Sequence, residues 1–570
     1  MTAVDSGEAP GMAKGSDAPT GVDRRQFLHS ATALGVAVAT GDRGSGARGP
    51  TVTPEDDAPR RLASMPADFE LDEITIGALQ EAMAEGKYTA RSVVELYLRR
   101  IDALDRAGPV LRSVLELNPD ALSNAATLDA ERRAGKVRGP LHGIPVLLKD
   151  VIDTADRMHT TAGSLALMGS FPLRDSFIVE RLRAAGAIIL GKTNLSEWSN
   201  ARSTNATSGW SARGGLTKNP YVLDRTACGS SSGSGVAIAA NLATIGIGVE
   251  TDGSISCPAS ANCLVGIKPT VGLWSRSGLM RISYSQDTAG PMTRTVTDAA
   301  ILLGALTAPD SRDLATEPAI GHAKTDYTTA LDKGALRGAR IGVLRRQHLP
   351  GSAMDRLLNE SIDVMRSAGA TIVDDLEVTT LDDLQRPEVL VLLCEFKEEI
   401  RDYLMSRGPE ERHRSLADLI RFNRENADVE LEWFGQEWFE AAETTTGRET
   451  PDYRPALARC RTLSRSQGLD RVLGELQLDA IVGLAANPAF AVDLINGDRP
   501  PVVSNSSLSA VAGYPRITVP AGFIRALPVG LSFMGAAWSE ARLLGLAYAF
   551  EQSIDARRPP TFLPTAVTDR

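Results

Sequence analysis

The segment from Cys228 to Thr270 reads CGSSSGSGVAIAANLATIGIGVETDGSISCPASANCLVGIKPT and is the most unusual passage of the chain. Three consecutive serines, Ser230 to Ser232, lie between glycines, and Ser254 follows the small residues of a second glycine turn. Such sequences let backbone amides converge on an anion and expose hydroxyl groups at tight turns. Both properties serve acyl transfer, so this segment directs the search for a catalytic site.

The sequence around this segment alternates between strand and helix patterns. Short apolar runs bounded by turn residues predict buried strands, and apolar residues at three- and four-residue steps predict helices. The clearest are the strand GIPVLLKD (143–150), the helix DSFIVERLRAAG (175–186), and the strands AIILGKTN (187–194), ARIGVLR (339–345), LDAIVG (478–483) and RITVP (516–520). The alternation predicts an α/β fold with a mixed, largely central β-sheet covered by helices on both faces.

Composition divides the chain into a tail and one large domain. Residues 1–60 are rich in small and polar residues and poor in bulky apolar ones, so they lack the material for a core. Residues 61–570 contain no repeat of fixed period and no long low-complexity linker, which favours a single catalytic domain. A mainly helical insertion is expected at about 385–475.

An export signal is predicted within the tail, at about residues 20–42. The paired Arg24 and Arg25 are followed at once by a mildly apolar run that ends near Thr40, which resembles a twin-arginine signal. The run is too short to span a bilayer. We therefore expect an exported protein, periplasmic or secreted, without stable membrane insertion. A disordered tail with a chance arginine pair is the alternative, and it would leave the protein cytoplasmic.

The net charge and the spacing of histidines and cysteines limit the binding partners that the protein can have. The net charge is −10, so a nucleic-acid partner is not expected. The six histidines never fall at an H-x-x-x-H spacing, and no C-x-x-C pair is present, so we predict no metal. The cysteines are odd in number and widely spaced, which indicates buried or incidental thiols: Cys228, Cys257, Cys263, Cys394 and Cys460.

The stretch GAIILGKT (186–193) matches the letters of a nucleotide-binding phosphate loop. Such a loop must follow a strand and open a helix, whereas Gly186 follows a predicted helix as a C-terminal cap would. The four residues after it are strand material that is unable to wrap phosphates. The pattern therefore favours a strand, and Lys192 a structural role.

Two catalytic interpretations of the serine-rich segment compete. In the first, Gly229 to Gly233 form a G-x-S-x-G nucleophile elbow with Ser231 as nucleophile, which requires a downstream histidine. The histidines that follow lie in polar, surface-like segments, which disfavours it. In the second, a neutral lysine activates a serine, and burial lowers that lysine's pKa. Lys149, at the end of a buried strand, suits this role, although a solvated surface charge is the simpler interpretation for a lone lysine.

These segments resemble the amidase signature family. The family's G-G-S-S-G-G-S block is matched by residues 228–234, its G-G-S-I block by 252–255, and its P-A and G-x-K-P-T blocks by 258–259 and 266–270. Ser254 follows Ser230 at the interval that the family uses. The match extends through GIPVLLKD, TTAGS, GAIILGKTNLSEW, SQDTAGPMTRTVTDAA, GYPRITVPAG and LPVGLSFMG, and so covers nearly everything after about residue 70.

The resemblance implies a role for each matched residue. It makes Ser254 the nucleophile, Ser230 the hydroxyl that bridges it to Lys149, and Lys149 the final base. It also implies a cis peptide between Gly229 and Ser230, with Ser231 as a supporting hydrogen-bond donor. The backbone amides of Thr251, Asp252, Gly253 and Ser254 would form the oxyanion hole. No cofactor is implied.

Within the family, CGSSSGSG and ETDGSISCPAS look most like the peptide amidase branch, which converts C-terminal peptide carboxamides to the free acid and ammonia. The expected partner is thus a small-molecule or peptide amide. Cys228, Ser232 and the run Glu250 to Asp252 depart from the broader pattern, and IVGLAANPAF indicates a different acyl pocket. The alternatives are the glutaminase-like component of a tRNA-dependent amidotransferase, or a broad-specificity amidase or esterase. The oligomeric state is not predicted.

Overall fold

The strands on which the predicted site depends belong to one large sheet. The computed structural model describes residues 69–345, 349–374, 376–499 and 505–566, so the predicted export signal lies outside the described residues. The strands within them are β1 (Val114–Leu117), β2 (Pro145–Lys149), β3 (Ile188–Thr193), β4 (Trp210–Ser211), β5 (Gly215–Leu216), β6 (Ile245–Glu250), β7 (Val265–Lys268), β8 (Thr288–Thr293), β9 (Arg340–Val343), β10 (Thr371–Val373), β11 (Ala480–Leu484), β12 (Arg516–Ile524) and β13 (Leu527–Met534).

Eleven of these described strands form a single mixed sheet in the order β1-β3-β2-β6-β8-β7-β12-β13-β11-β9-β10, and β4 and β5 pair separately. The neighbours β3, β2 and β6 run parallel, as do β11, β9 and β10. The central pairs from β6 to β11 run antiparallel. The prediction of a mixed sheet is confirmed.

Both faces of the sheet are covered. Every residue of β2, β3, β6 and β8 is buried, although successive side chains of a strand point to opposite faces. The α-helices of the described chain are α1 (Ile76–Ala84), α2 (Ala90–Ile101), α3 (Ala121–Arg133), α4 (Phe177–Ala184), α5 (Ser232–Ala239), α6 (Ser256–Ala261), α7 (Val296–Leu306), α8 (Ala353–Ser367), α9 (Gln385–Ser406), α10 (Leu416–Glu425), α11 (Ala427–Glu430), α12 (Glu437–Glu443), α13 (Tyr453–Ser464), α14 (Asp470–Glu475), α15 (Ser507–Ala512) and α16 (Glu540–Ile554).

The segment between β10 and β11 is helical and carries α9 to α14. Its longest helix, α9, runs for 22 residues and packs against α13 and α12. Charged side chains interrupt the apolar face of α9, and three of them are buried: Glu388, Glu395 and Glu399. Across the described part of the chain, no helix combines the length and apolarity that crossing a bilayer requires.

The stretch GAIILGKT runs from a helix into a strand, as predicted. Helix α4 ends at Ala184, and Gly186 follows with φ of 77° in the left-handed region that glycine tolerates. The chain then enters β3, whose Lys192 is fully buried. The Lys192 ammonium donates to the Ile152 carbonyl at 2.6 Å and to Thr160 Oγ1 at 2.7 Å. These contacts give this lysine a structural role.

The parallel pair β2 and β6 positions the predicted site. Parallel strands present their carboxyl ends at the same edge of a sheet. Leu148 of β2 pairs with Ile247 of β6, so Lys149 lies level with Gly248, two residues before β6 ends. The chain leaves β6 at Glu250 and enters the loop that carries Ser254.

Candidate active site

The three predicted catalytic side chains form one continuous chain of hydrogen bonds. The Lys149 ammonium nitrogen donates to Ser230 Oγ at 2.7 Å, and Ser230 Oγ donates to Ser254 Oγ at 2.9 Å. Lys149 and Ser230 are completely buried, whereas Ser254 retains 9% of its surface. Ser254 is therefore the member of the chain that a substrate can reach, and the other two can move a proton to or from it.

Burial controls the charge of Lys149. Removal from water lowers the pKa of its ammonium to about 7, against the opposing effect of the carboxylates of Asp287 and Glu250. Burial also raises the pKa of Asp287 to about 6. An amine with a pKa near 7 is unprotonated in a large fraction of molecules at neutral pH. Lys149 can thus accept a proton from Ser230, which an ordinary lysine cannot do.

The peptide bond between Gly229 and Ser230 is cis, as the resemblance implied. A side chain at Gly229 would have no room, because its Cβ would lie 2.3 Å from Ser196 Oγ. The amide of Ser196 in turn donates to the carbonyl of Ser230 at 3.0 Å. The loop that presents Ser230 is therefore closely packed against the segment after β3.

Ser231 supports this loop. It lies at the N-terminus of α5 and is completely buried. Its hydroxyl donates to the carbonyl of Val249 at 3.1 Å, and its amide donates to the carbonyl of Ser254 at 3.2 Å. The supporting role that the resemblance implied for Ser231 stays a prediction, and these contacts are the basis on which it can be tested. They also disfavour Ser231 as an elbow nucleophile, since its hydroxyl is bonded to backbone.

Residues 251–254, in the loop between β6 and α6, present consecutive amides that include that of the predicted nucleophile Ser254. Among the described residues, none accepts a hydrogen bond from the N–H groups of Thr251, Asp252, Gly253 or Ser254. Gly253 has φ of 82°, and a Cβ there would lie 3.1 Å from Ser506 Oγ. A residue with a side chain is disfavoured at such a position. Consecutive N–H groups that have no acceptor within the described residues, in the loop of a serine hydroxyl, suit the predicted oxyanion hole.

Glu250 has a function that sequence reasoning missed. Its buried carboxylate accepts from the amides of Ile255 at 2.7 Å and Ser256 at 2.9 Å, and from the Ser256 hydroxyl at 3.1 Å. It therefore holds the first turn after the nucleophile. The available signal was an acidic residue shortly before a helix start, where carboxylates pair with unsatisfied amides.

Two of the five cysteines correct the sequence prediction. Cys228 and Cys257 form a disulfide, so the interpretation of all cysteines as incidental thiols was wrong for this pair. The two are 29 residues apart in sequence, and only the fold brings their Cα atoms within 5.9 Å. Cys263, Cys394 and Cys460 are free and buried, as predicted.

Comparison with known proteins agrees with this geometry. The family model described as Amidase matches residues 92–544. The chain belongs to the amidase family. Two members of the family that resemble it strongly are a bacterial enzyme of known structure and a plant protein. The peptide amidase from Stenotrophomonas maltophilia is 50% identical to this chain. The match covers 87% of this chain and 100% of the Stenotrophomonas chain, and the two structures superimpose with a TM-score of 0.83. A probable amidase of Arabidopsis thaliana is 42% identical over 507 residues, which are 87% of this chain and 93% of the plant protein.

A functionally different relative is also similar. A glutamyl-tRNA(Gln) amidotransferase component of Chloroflexus aurantiacus is 34% identical over 509 residues, which are 85% of this chain and 97% of that protein.

A peptide amidase structure with TM-score 0.84 and 50% identity contains the competitive inhibitor chymostatin. The family assignment and the neighbouring structures show that this protein is a hydrolase of amide C–N bonds.

Proposed function

We propose that this amidase hydrolyses C-terminal carboxamides of peptides to the free acid and ammonia through a relay of Lys149, Ser230 and Ser254. The observation that carries the proposal is the unbroken hydrogen-bond chain from Lys149 to Ser254, at 2.7 and 2.9 Å. It occurs in a chain that is 50% identical to a peptide amidase over 87% of its length.

The relay performs the first half of the reaction by moving one proton. Neutral Lys149 takes the proton of Ser230, and Ser230 takes that of Ser254, while the Ser254 oxygen attacks the carboxamide carbon. The carbonyl oxygen becomes an oxyanion that accepts hydrogen bonds from the amides of residues 251–254. When the C–N bond breaks, the proton returns through Ser230 to the departing nitrogen, which leaves as ammonia.

Hydrolysis of the acyl-enzyme follows the same route with water. A water molecule gives its proton to Ser230 and on to Lys149 while its oxygen attacks the ester carbon. Collapse of this second intermediate returns the proton to Ser254 and releases the carboxylic acid. Amide and water are consumed, acid and ammonia are produced, and every step uses side chains of this chain.

The alternative substrate is glutamine, as in an amidotransferase, and its support is the 34% identity to an amidotransferase component. A panel of peptide amides that differ only in the C-terminal residue separates the two. Each peptide amide and free glutamine is incubated with the purified protein, and ammonia and the free acid are both measured. We expect equimolar acid and ammonia from peptide amides and none from glutamine alone. Hydrolysis of glutamine without any peptide amide activity would overturn the proposal, and a matched peptide ester tests for broader specificity.

The pH dependence follows from the charge of Lys149. Because the unprotonated amine is the active form, and burial lowers its pKa to about 7, activity should fall as pH drops through this value. We expect kcat/KM for a peptide amide to rise about tenfold per pH unit on the acidic side and to level off above the pKa. Initial rates measured at saturating and at limiting substrate, from about pH 5 to about pH 10, give the pH profile of kcat/KM. A midpoint near the ordinary lysine value of 10.5 would contradict it.

We also propose that the protein is exported through the twin-arginine pattern at Arg24 and Arg25. The disulfide between Cys228 and Cys257 supports this, since disulfides persist in oxidising compartments. Cell fractionation of the full chain beside the Arg24→Lys/Arg25→Lys variant tests it. Equal distribution of both proteins between the fractions would contradict export.

A further inference from the structure

The disulfide lies at the point where the two catalytic loops meet. Cys228 is two residues before the bridging Ser230, and Cys257 is three residues after the nucleophile Ser254. The amide of Cys257 donates to the carbonyl of Gly253 at 2.8 Å, so this cysteine belongs to the first turn that follows the oxyanion loop. The crosslink therefore joins the loop of one relay serine to the helix that follows the other.

Few other bonds connect the two loops. Within the described residues, the segment 228–231 and the segment 252–257 share one backbone hydrogen bond, from the Ser231 amide to the Ser254 carbonyl. The remaining link is the hydrogen bond between Ser230 and Ser254, which the reaction itself uses. A link that is made and broken in each turnover cannot also hold its two partners in place.

The disulfide is well placed to hold the two loops together because it is covalent and buried. Cys228 is 2% exposed and Cys257 5%, and both pack with Ala261 and Ala486. Ala486 follows β11, in the segment whose sequence indicated a different acyl pocket. The sulfur atoms have no part in the proton relay, so the crosslink acts through the positions of the loops.

We infer that Cys228 and Cys257 are positioning residues that hold Ser230 in hydrogen-bond range of Ser254. The inference deepens the proposed function and rests on it, because the distance between the two serines matters only if the relay operates. A displacement of about 1 Å in a catalytic group costs on the order of 100-fold in rate. Catalysis is thereby coupled to the oxidised state of this pair.

Reduction of the disulfide between Cys228 and Cys257 releases the two loops from each other. A small dithiol supplies two electrons and two protons and is oxidised to its own cyclic disulfide, while the S–S bond breaks to give two thiols. Because the pair is almost completely buried, the reductant reaches it only after local opening of the loop.

Paired substitution tests the inference. We expect Cys228→Ser/Cys257→Ser to lower kcat for a peptide amide at least about tenfold, with KM changed less than about threefold. Cys228→Ala/Cys257→Ala provides a second version without buried hydroxyls. Assays are run well below the melting temperature of each variant, so a loss of stability alone would leave kcat unchanged. The matched control is Cys263→Ala, which removes a buried free sulfur six residues after Cys257 in sequence and should retain the wild-type kcat.

Two further measurements test whether the disulfide affects the reactivity of Ser254 itself. The wild type treated with a dithiol should lose activity and regain it on reoxidation, whereas the double variants should not respond. The rate at which a fluorophosphonate labels Ser254 reports the reactivity of the serine without any amide substrate, and it should fall in parallel with kcat. Wild-type labelling without peptide amide hydrolysis would refute the proposed function while leaving the positioning role standing.

Two outcomes would overturn the inference. One is a double variant whose kcat and labelling rate stay within about twofold of wild type. The other is a thiol titration of the denatured, unreduced protein that finds all five cysteines reactive in place of the three that are free in the structure.

Discussion

Replacing Ser254 with alanine is expected to abolish turnover of peptide amides, with kcat lowered by at least about 10⁴-fold. The hydroxyl of Ser254 is the part of the relay that reaches the surface, and without it no acyl-enzyme can form. The oxyanion donors remain in place, so a small residual rate over water is the most that we expect. Release of ammonia from a peptide amide measures the loss.

Ser231→Ala is the matched control for this substitution. Ser231 is completely buried in the same loop, and its hydroxyl donates to the Val249 carbonyl rather than into the relay. We expect its loss of kcat to be at least about 100-fold smaller than that of Ser254→Ala. Calorimetric binding of the same peptide amide to Ser254→Ala should persist, which separates lost chemistry from lost folding. Comparable losses in the two variants, or residual turnover above about one part in a hundred for Ser254→Ala, would assign the nucleophile elsewhere.

The sequence allowed the local elements of this site to be predicted, since each has a short-range cause. The apolar run before Lys149 produces the strand β2, and Gly186 after an amphipathic helix marks the start of a new strand. The burial of Lys149 did not follow from the strand alone, since a lysine at a strand end is more simply interpreted as a solvated surface charge, and the serine-rich segment was needed to favour the buried alternative. The assignment of Ser254 and Ser230, by contrast, needed the family pattern, since several serines compete in that segment.

What could not be predicted depends on contacts between distant parts of the chain. The pairing of Cys228 with Cys257 is invisible to spacing rules, because it requires the loop before α5 to meet the first turn of α6. In the sequence Glu250 is only a departure from the family pattern, and the fold shows its carboxylate on the Ile255 and Ser256 amides. The pairing of β7, β8 and β13 within the centre of the sheet is likewise a long-range property, which local patterns do not specify.

Replacing Lys149 is expected to cost about 10³-fold or more in kcat/KM. Lys149→Met keeps most of the side-chain volume and removes the amine that takes the proton from Ser230. Ser254 then has no base within the hydrogen-bond chain, and its hydroxyl at its ordinary pKa is a weak nucleophile. The residual activity should also lose the acidic limb near pH 7, because the group that titrates there is absent. Initial rates over the same pH range measure both effects.

Lys192→Met separates this role from burial alone. Lys192 is also completely buried, burial likewise lowers its pKa, and it lies on the adjacent strand β3. Its ammonium donates to the Ile152 carbonyl and to Thr160 rather than to a serine of the relay. We expect Lys192→Met to lower the melting temperature, to keep kcat/KM within about tenfold below that temperature, and to retain the midpoint near pH 7. Near-normal activity in Lys149→Met, or an unchanged midpoint in its residual activity, would refute the relay. A loss in Lys192→Met equal to that in Lys149→Met would show that any buried lysine at this edge is needed for folding, and that the acidic limb does not report a base.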